Sequence, residues 1–324
     1  MGTTRSNRRH FLKRSALAMA AAGWLGGTTE AARGAETGPA RLKPIRLGAP
    51  VFRAPADPDE LALAHRKLGY RAAYCPAVSL NDTRRIREIA TAFAKHDVVI
   101  AEVGRWVNLL DADPAKRAAN LKTVTEGLAL AEAIGALCCV DIAGSYNPKA
   151  WDGPHPDNCS QRFFDESVEN ARKIIDAVKP QRAKFCFEMM PWALPDSADA
   201  CLKLIRAVDR RAFAVHLDPC NLVNSPERFR RNTDLLHECF DKLGPWIVSC
   251  HAKDITPDAA ARDRGFREVT LGAGSLDYAT YLKRLAALPG DVPLMVEHMK
   301  NEEEYDKSRA WLFELGRKIG VRFA

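Results

Sequence analysis

Phe213-Ala214-Val215-His216-Leu217-Asp218 decides how the rest of the chain is read. Phe213, Val215 and Leu217 alternate with His216 and Asp218, the two-residue period of a strand whose faces meet different surroundings. The pattern recurs on both sides of it. Phe185, Phe187 and Met189 alternate with Lys184, Cys186 and Glu188; Val248, Cys250 and Ala252 with Ser249, His251 and Lys253; Leu294 and Val296 with Met295 and Glu297. The apolar sets are expected to face a surrounding layer of helices and the polar sets a shared interior. Each polar set ends on an acid or a histidine near the carboxyl end of its strand.

Outward from there, short apolar runs alternate with amphipathic stretches from residue 45 onward. The runs are 46–52, 72–77, 98–104, 137–144, 184–190, 213–221, 247–255 and 292–299. Helical patterns begin near Asp57, Asn81, Asp113, Ser160, Ser197, Pro226, Ser275 and Glu302. Asp113-Pro114 and Ser275-Leu276-Asp277 are helix openings, and Gly69, Gly135 and Gly244 are expected to close helices. Glu302-Glu303-Glu304 places negative charge in a first turn, where it complements the helix dipole. Eight β-then-α units without a long structureless break predict one (β/α)₈ barrel, with a doubly wound sheet as the alternative. The chain of 324 residues accommodates this as a single domain. We place it at 36–324, after a targeting segment at about 1–35.

Three carboxylates and an imidazole, Glu188, Asp218, Glu297 and His251, converge at the strand ends in this scheme. Such a group needs a compensating cation. An oxygen-rich set with one nitrogen suits one divalent ion: manganese first or magnesium, with cobalt or zinc as alternatives.

Phe187-Glu188-Met189-Met190-Pro191-Trp192, His216-Leu217-Asp218-Pro219-Cys220-Asn221, His251-Ala252-Lys253-Asp254, Gly272-Ala273-Gly274 and Val296-Glu297-His298 resemble the sugar phosphate isomerase/epimerase-like family of xylose isomerase-like TIM barrels. The resemblance runs over the chain from about residue 45. It implies a metal held by Glu188, Asp218, His251 and Glu297. It also implies isomerisation, epimerisation beside a ketone, or related dehydration of sugars, with Glu188 and Glu297 as the proton-transfer groups. Lys253 is expected to bind a substrate oxygen, or else to pair with Asp254. His216 is expected to orient Asp218, or to be packed in the barrel. Asn221 stands where comparable epimerases often carry a histidine and is a substrate-contact candidate. Trp192 would stack on a sugar face or pack against a helix. Glu102, Arg105, Asp141 and His155 lie in strand-end or loop positions on the same side, and the loop Trp151-Asp152-Gly153-Pro154-His155 belongs to the site-building set. Gly272-Ala273-Gly274 lacks the context of a dinucleotide fingerprint and is read as a tight loop lending backbone amides.

The formal charge of +7 does not point to nucleic acid. Residues 1–35 hold six basic side chains against Glu30, so the rest of the chain carries about +2. The trinuclear-zinc nucleases built on this barrel need further histidines on strands two, three and seven, and the strand-two and strand-three ends at 75–77 and 102–104 supply none. Asn7-Arg8-Arg9-His10-Phe11-Leu12-Lys13 resembles a twin-arginine export signal, which implies the twin-arginine translocase as a partner and a periplasmic or otherwise extracytoplasmic location. The apolar stretch after it runs only about ten residues against the ~20 of a membrane span, so no stable membrane anchor is expected. Export argues for a non-phosphorylated sugar or keto-sugar as the small-molecule substrate. The expected activity is a metal-dependent isomerase or epimerase; the alternatives are a lyase or hydratase of 3-keto-glycosides and a non-catalytic sugar-binding barrel. A homo-oligomer is compatible with the sequence. Of the nine cysteines most lie in apparent strands and are expected as buried thiols, with Cys159 and Cys239 left open.

Overall fold

Each of the eight apolar runs supplies one barrel strand in the computed structural model, which describes residues 42–261 and 265–324. The strands are β1 (Leu47–Gly48), β2 (Ala72–Tyr74), β3 (Val99–Gly104), β4 (Cys138–Asp141), β5 (Lys184–Glu188), β6 (Phe213–Leu217), β7 (Ile247–Ala252), β8 (Asp254–Pro257), β9 (Phe266–Val269) and β10 (Leu294–Val296). All but β8 and β9 pair in parallel around a closed ring, and the ring shuts where Leu47 and Gly48 meet Leu294 and Met295. That closing pair excludes the doubly wound alternative. The segment read as an export signal, with its boundary near residue 35, lies outside the described residues.

The helices are α1 (Pro58–Lys67), α2 (Thr83–Lys95), α3 (Pro114–Ile134), α4 (Gln161–Val178), α5 (Ala198–Val208), α6 (Pro219–Leu222), α7 (Pro226–Arg230), α8 (Asn232–Leu243), α9 (Tyr278–Ala286) and α10 (Glu302–Ile319). Asp113 caps α3 by accepting from the Ala115 and Lys116 amides, and Gly135 ends it at φ 81°, a left-handed conformation that favours glycine. Gly244 departs from expectation: at φ −43° it is right-handed and opens the short 3₁₀ turn Gly244–Trp246. The helix expected from Pro226 is two helices, α7 and α8. Among the described residues no helix is long and apolar enough to cross a membrane.

The parity argument holds along most strands. Phe185, Phe187 and Phe213 pack outward with Ile174, Leu204 and Val208, while Val215 and Leu217 pack with Leu236 and Phe240. Each fully buried aromatic or aliphatic side chain contributes about 1.5–3 kcal/mol, so this outer layer fixes which face of each strand turns inward. Below the polar ends the interior is plugged by Ala72, Ala101 and Met295 and by Cys138, Val140, Cys186 and Ala214. Val248 is an exception. The register shifts between Val215 and His216, whose partners are Ile247 and Ser249, and the skipped Val248 packs against the inner cluster.

The run 247–255 also divides. Its strand stops at Ala252, and Asp254–Pro257 turns away as the first arm of an antiparallel hairpin with β9. All nine cysteines are free thiols; Cys239 is buried and Cys159 exposed.

Candidate active site and metal centre

Asp218 directly follows β6 and caps α6, its Oδ1 accepting from the Asn221 amide at 3.2 Å. Glu188 ends β5, His251 lies one residue from the end of β7, and Glu297 follows β10. One ligand atom from each of the four lies within 4.8 Å of the others. His251 Nδ1 stands 3.0 Å from Glu188 Oε1, 3.0 Å from Glu297 Oε2 and 3.7 Å from Asp218 Oδ2. All this is at the carboxyl ends of the strands, the end of a parallel barrel where helices and loops leave room for a site.

Lys253 enters the same group. Its Nζ lies 2.7 Å from Glu297 Oε2, 2.9 Å from Asp218 Oδ2 and 3.6 Å from Glu188 Oε1, and the side chain is 3% exposed. The alternative pairing with Asp254 is absent. The Asp254 carboxylate accepts instead from the amides of Ile255, Gly272, Gly274 and Leu276 at 2.9–3.1 Å. This corrects the reading of Gly272-Ala273-Gly274, whose two glycine amides serve Asp254 while that of Ala273 donates to the Thr270 carbonyl. Gly272 sits at φ +85°, and a Cβ on Gly274 would fall 2.1 Å from Asp254 Oδ1, so both glycines are required there. From the other side, α9 steadies the strand: Tyr281 donates to the His251 carbonyl at 2.9 Å and Tyr278 to that of Lys253 at 2.8 Å.

Beneath the four lies a second polar layer. Glu102, 1% exposed, meets His216 Nε2 at 2.7 Å and His251 Nε2 at 3.1 Å, and accepts from Ser249 Oγ at 3.1 Å. His251 therefore turns Nδ1 to the carboxylates above and Nε2 to Glu102 below. A carboxylate behind a histidine in this way fixes the ring's orientation and tautomer for a metal. His216, expected beside Asp218, bonds Glu102 and is wholly buried.

Charge decides what the upper layer can hold. Three carboxylates face one ammonium, which leaves two negative charges in a buried site. Burial pushes the Glu188 pKa up against the pull of Lys253 and His251. Burial acts likewise on Glu297, but His251 and Lys253 outweigh it and bring that group down to about 2. Asp218 is held well below the usual carboxylate range, Lys253 and His251 overcoming its burial. Burial alone would lower His251, yet Glu297, Glu102 and Glu188 raise it well above an ordinary imidazole. Those carboxylates favour a proton on the ring, which offsets part of the charge that the ammonium leaves uncovered. Asp218 Oδ2 and Glu297 Oε2 are buried and lack a partner in hydrogen-bond geometry, although Lys253 pairs with both at close range. The donor set, its charge and these two oxygens fit a divalent cation.

A cavity of about 400 Å³ opens above the group. Trp106, Trp151 and Trp192 wall it, Asn221, Lys253, Glu188 and Glu297 reach it from below, and Glu268 and His298 flank it. Trp192 donates its Nε1–H to the Asp152 carbonyl, which ties it to the loop after β4. Asn221 donates to Glu188 Oε1 at 3.3 Å and to the Met189 carbonyl at 3.0 Å, so it positions a ligand while facing the cavity. His155 does not line this cavity; it caps the 3₁₀ turn Pro156–Cys159 through Nδ1 and packs edge-on to Tyr146. Asp141 is wholly buried, and its Oδ1 accepts from the Val107 amide. Arg105 lines a neighbouring cavity. Among the polar and aromatic lining residues, three escaped the sequence reading of the site. Trp106 follows β3, Glu268 arrives on the β8–β9 hairpin, and His298, at φ +60°, bonds Glu268 Oε2 through Nδ1 at 2.9 Å. Of these only His298, beside Glu297, stood in a quoted motif.

A family profile described as xylose isomerase-like TIM barrel matches residues 63–315. No curated protein matches the chain. Solved structures share the fold at low identity. A xylose isomerase-like TIM barrel protein from Mycobacterium smegmatis in complex with magnesium is 19% identical, with TM-score 0.57 over 86% of this chain and 97% of that one. D-psicose 3-epimerase from Clostridium cellulolyticum H10, solved with D-tagatose, is 14% identical, with TM-score 0.59 over 86% and 100%. The E. coli 3-keto-D-glucoside 4-epimerase in its apo form is 14% identical, with TM-score 0.58 over 83% and 99%. With its closed parallel ring, and a profile match over most of its length, the chain belongs to the xylose isomerase-like TIM barrel family.

Proposed function

We propose that this protein is a divalent-metal-dependent isomerase or epimerase of a non-phosphorylated sugar or keto-sugar, working through an enediolate after export by the twin-arginine route. One observation carries the reading. Two carboxylates, Glu188 and Glu297, approach the same His251 nitrogen at 3.0 Å and both open on one tryptophan-walled cavity. An ion bound by Glu188, Asp218, His251 and Glu297 would lower the cost of negative charge on adjacent carbonyl and hydroxyl oxygens of the sugar.

The chain's own residues supply the proton transfers. Both glutamates reach the cavity: Glu297 takes the proton beside the carbonyl, and Glu188 gives one back. Return on the opposite face gives an epimer; return to the neighbouring carbon gives the isomer. Lys253 stabilises charge on a substrate oxygen, and the indoles offer flat apolar surfaces to the sugar ring. Manganese is our first choice of ion, on donor chemistry alone.

A second reading, elimination from a 3-keto-glycoside, is favoured by one feature. His298, oriented by Glu268 in the same cavity, has the arrangement that hands a proton to a departing oxygen. The test is incubation of purified mature protein with free keto-sugars and 3-keto-glycosides in D₂O, with metal analysis alongside. About one divalent ion per chain and deuterated epimer or isomer are expected. Released aglycone selects the elimination, and unchanged substrates throughout select a sugar-binding barrel.

A further inference from the structure

A second cavity, of about 440 Å³, adjoins Trp106 and also reaches Glu297. Three charged side chains line it, Glu102, Arg105 and Glu297, and they are not matched alike. The Glu102 carboxylate is bonded by His216, His251 and Ser249, and Lys253 pairs with Glu297 at 2.7 Å. The Arg105 guanidinium has no ion pair among the described residues. Its one hydrogen bond there goes to the carbonyl of its own neighbour, Gly104, at 2.9 Å. The fold nevertheless makes a place for this side chain. The Arg105 amide donates to the Val140 carbonyl at 2.8 Å, which pins the backbone at the barrel mouth. Its stem lies on α3 at Gly127, where a Cβ would fall 2.6 Å from Cγ and 3.1 Å from Nε. Glycine weakens a helix interior, yet this one stands well inside α3 and leaves room for the arginine. Nothing in the proton-transfer scheme uses the guanidinium.

Resting on the keto-sugar chemistry proposed above, we propose that Arg105 binds a carboxylate on the substrate, which makes the substrate a keto-sugar acid and not a neutral sugar. A guanidinium presents parallel N–H donors that match the two oxygens of a carboxylate. Arg105 is half-buried, so such a pair is screened less by water than one on the open surface. A neutral substrate leaves this charge unmatched. One cation in a cavity shared with Glu297 suits a single negative charge, because the same carboxylate repels a doubly charged phosphate ester more strongly. Both cavities open on Glu297, so a substrate whose reacting carbon stands over that carboxylate can pass its acid group beside Trp106 to Arg105.

The test compares kcat/KM for deuterium uptake from D₂O, beside the carbonyl, within pairs that differ only in a terminal CH₂OH or carboxylate: D-fructose with D-fructuronate, and 3-keto-glucose with 3-keto-glucuronate. We expect the acid of at least one pair to be preferred about tenfold or more, and Arg105→Gln to cut that ratio about tenfold. Arg105→Lys keeps the charge but loses the paired donors, and should cut the ratio about threefold. Thermal melts establish that the variants are folded; if only the lysine variant folds, its threefold loss decides. Neutral sugars used as well as or better than the acids in both pairs, or a ratio unmoved in a folded variant, overturns the carboxylate contact and leaves the proposed activity standing. No exchange into any of the four compounds by the wild-type protein overturns both.

Discussion

The barrel holds two buried polar layers, and they are balanced in opposite ways. In the lower one the protein itself supplies the partners of the Glu102 carboxylate, namely His216, His251 and Ser249, leaving His216 Nδ1 as a buried atom without one. In the upper one Glu188, Asp218 and Glu297 share a single ammonium, and the balance is left to a cation. His251 belongs to both, with one ring nitrogen in each. A closed layer costs little to keep buried, whereas an open one is costly until something binds. The difference marks the lower layer as the support and the upper one as the site.

The contrast breaks first at Glu297. Glu297→Gln keeps the shape of the upper layer and removes the base; solvent exchange into a keto-sugar should fall about 10³-fold, within the range typical of general base catalysis. A folded variant with undiminished exchange would remove Glu297 from the mechanism. The next effect is on pH. In the ion-free protein the raised His251 pKa stabilises the fold below the unfolded value of 6.5, a contribution lost as pH rises through the higher folded value. Metal binding needs the neutral ring, so the ion must displace that proton. Below that raised value apparent affinity should weaken about tenfold per pH unit, with one proton released per ion, as calorimetry in two buffers of different ionisation enthalpy would measure. A flat profile would mean that His251 is not the titrating ligand. The smallest effect tests the link between layers. Glu102→Gln leaves the upper set intact but weakens the hold on His251 Nε2, and should cost about 10- to 100-fold in metal affinity. An unaltered affinity would make the lower layer mere packing.

Much of this was legible in the chain, for identifiable reasons. Strand parity reports which face meets the helices, so Phe185, Phe187, Val215 and Leu217 announce the outer layer and leave Glu188 and Asp218 to the interior. The reading failed where parity breaks. Val248 turned inward because a register shift, invisible in composition, skips it. Lys253 and Asp254 also offered an ion pair as the alternative to a site role for Lys253, because they are adjacent. Yet a chain leaving the barrel sends them to different surroundings, one to the carboxylates and the other to four loop amides.

By itself the sequence determined the eight-unit barrel and the four residues that meet at its carboxyl end. Both follow from a local periodicity and from side-chain types at strand ends. The tertiary structure alone decided what surrounds them. Glu102 lies 114 residues from His216 in the chain and Glu268 lies 30 from His298, and no local pattern encodes such pairings. It likewise decided that Trp106 lines the spaces on either side of it above Glu297, because β3 and β10 share one mouth only once the ring closes. Local alternation sets the direction of a side chain; only closure of the ring sets what it meets.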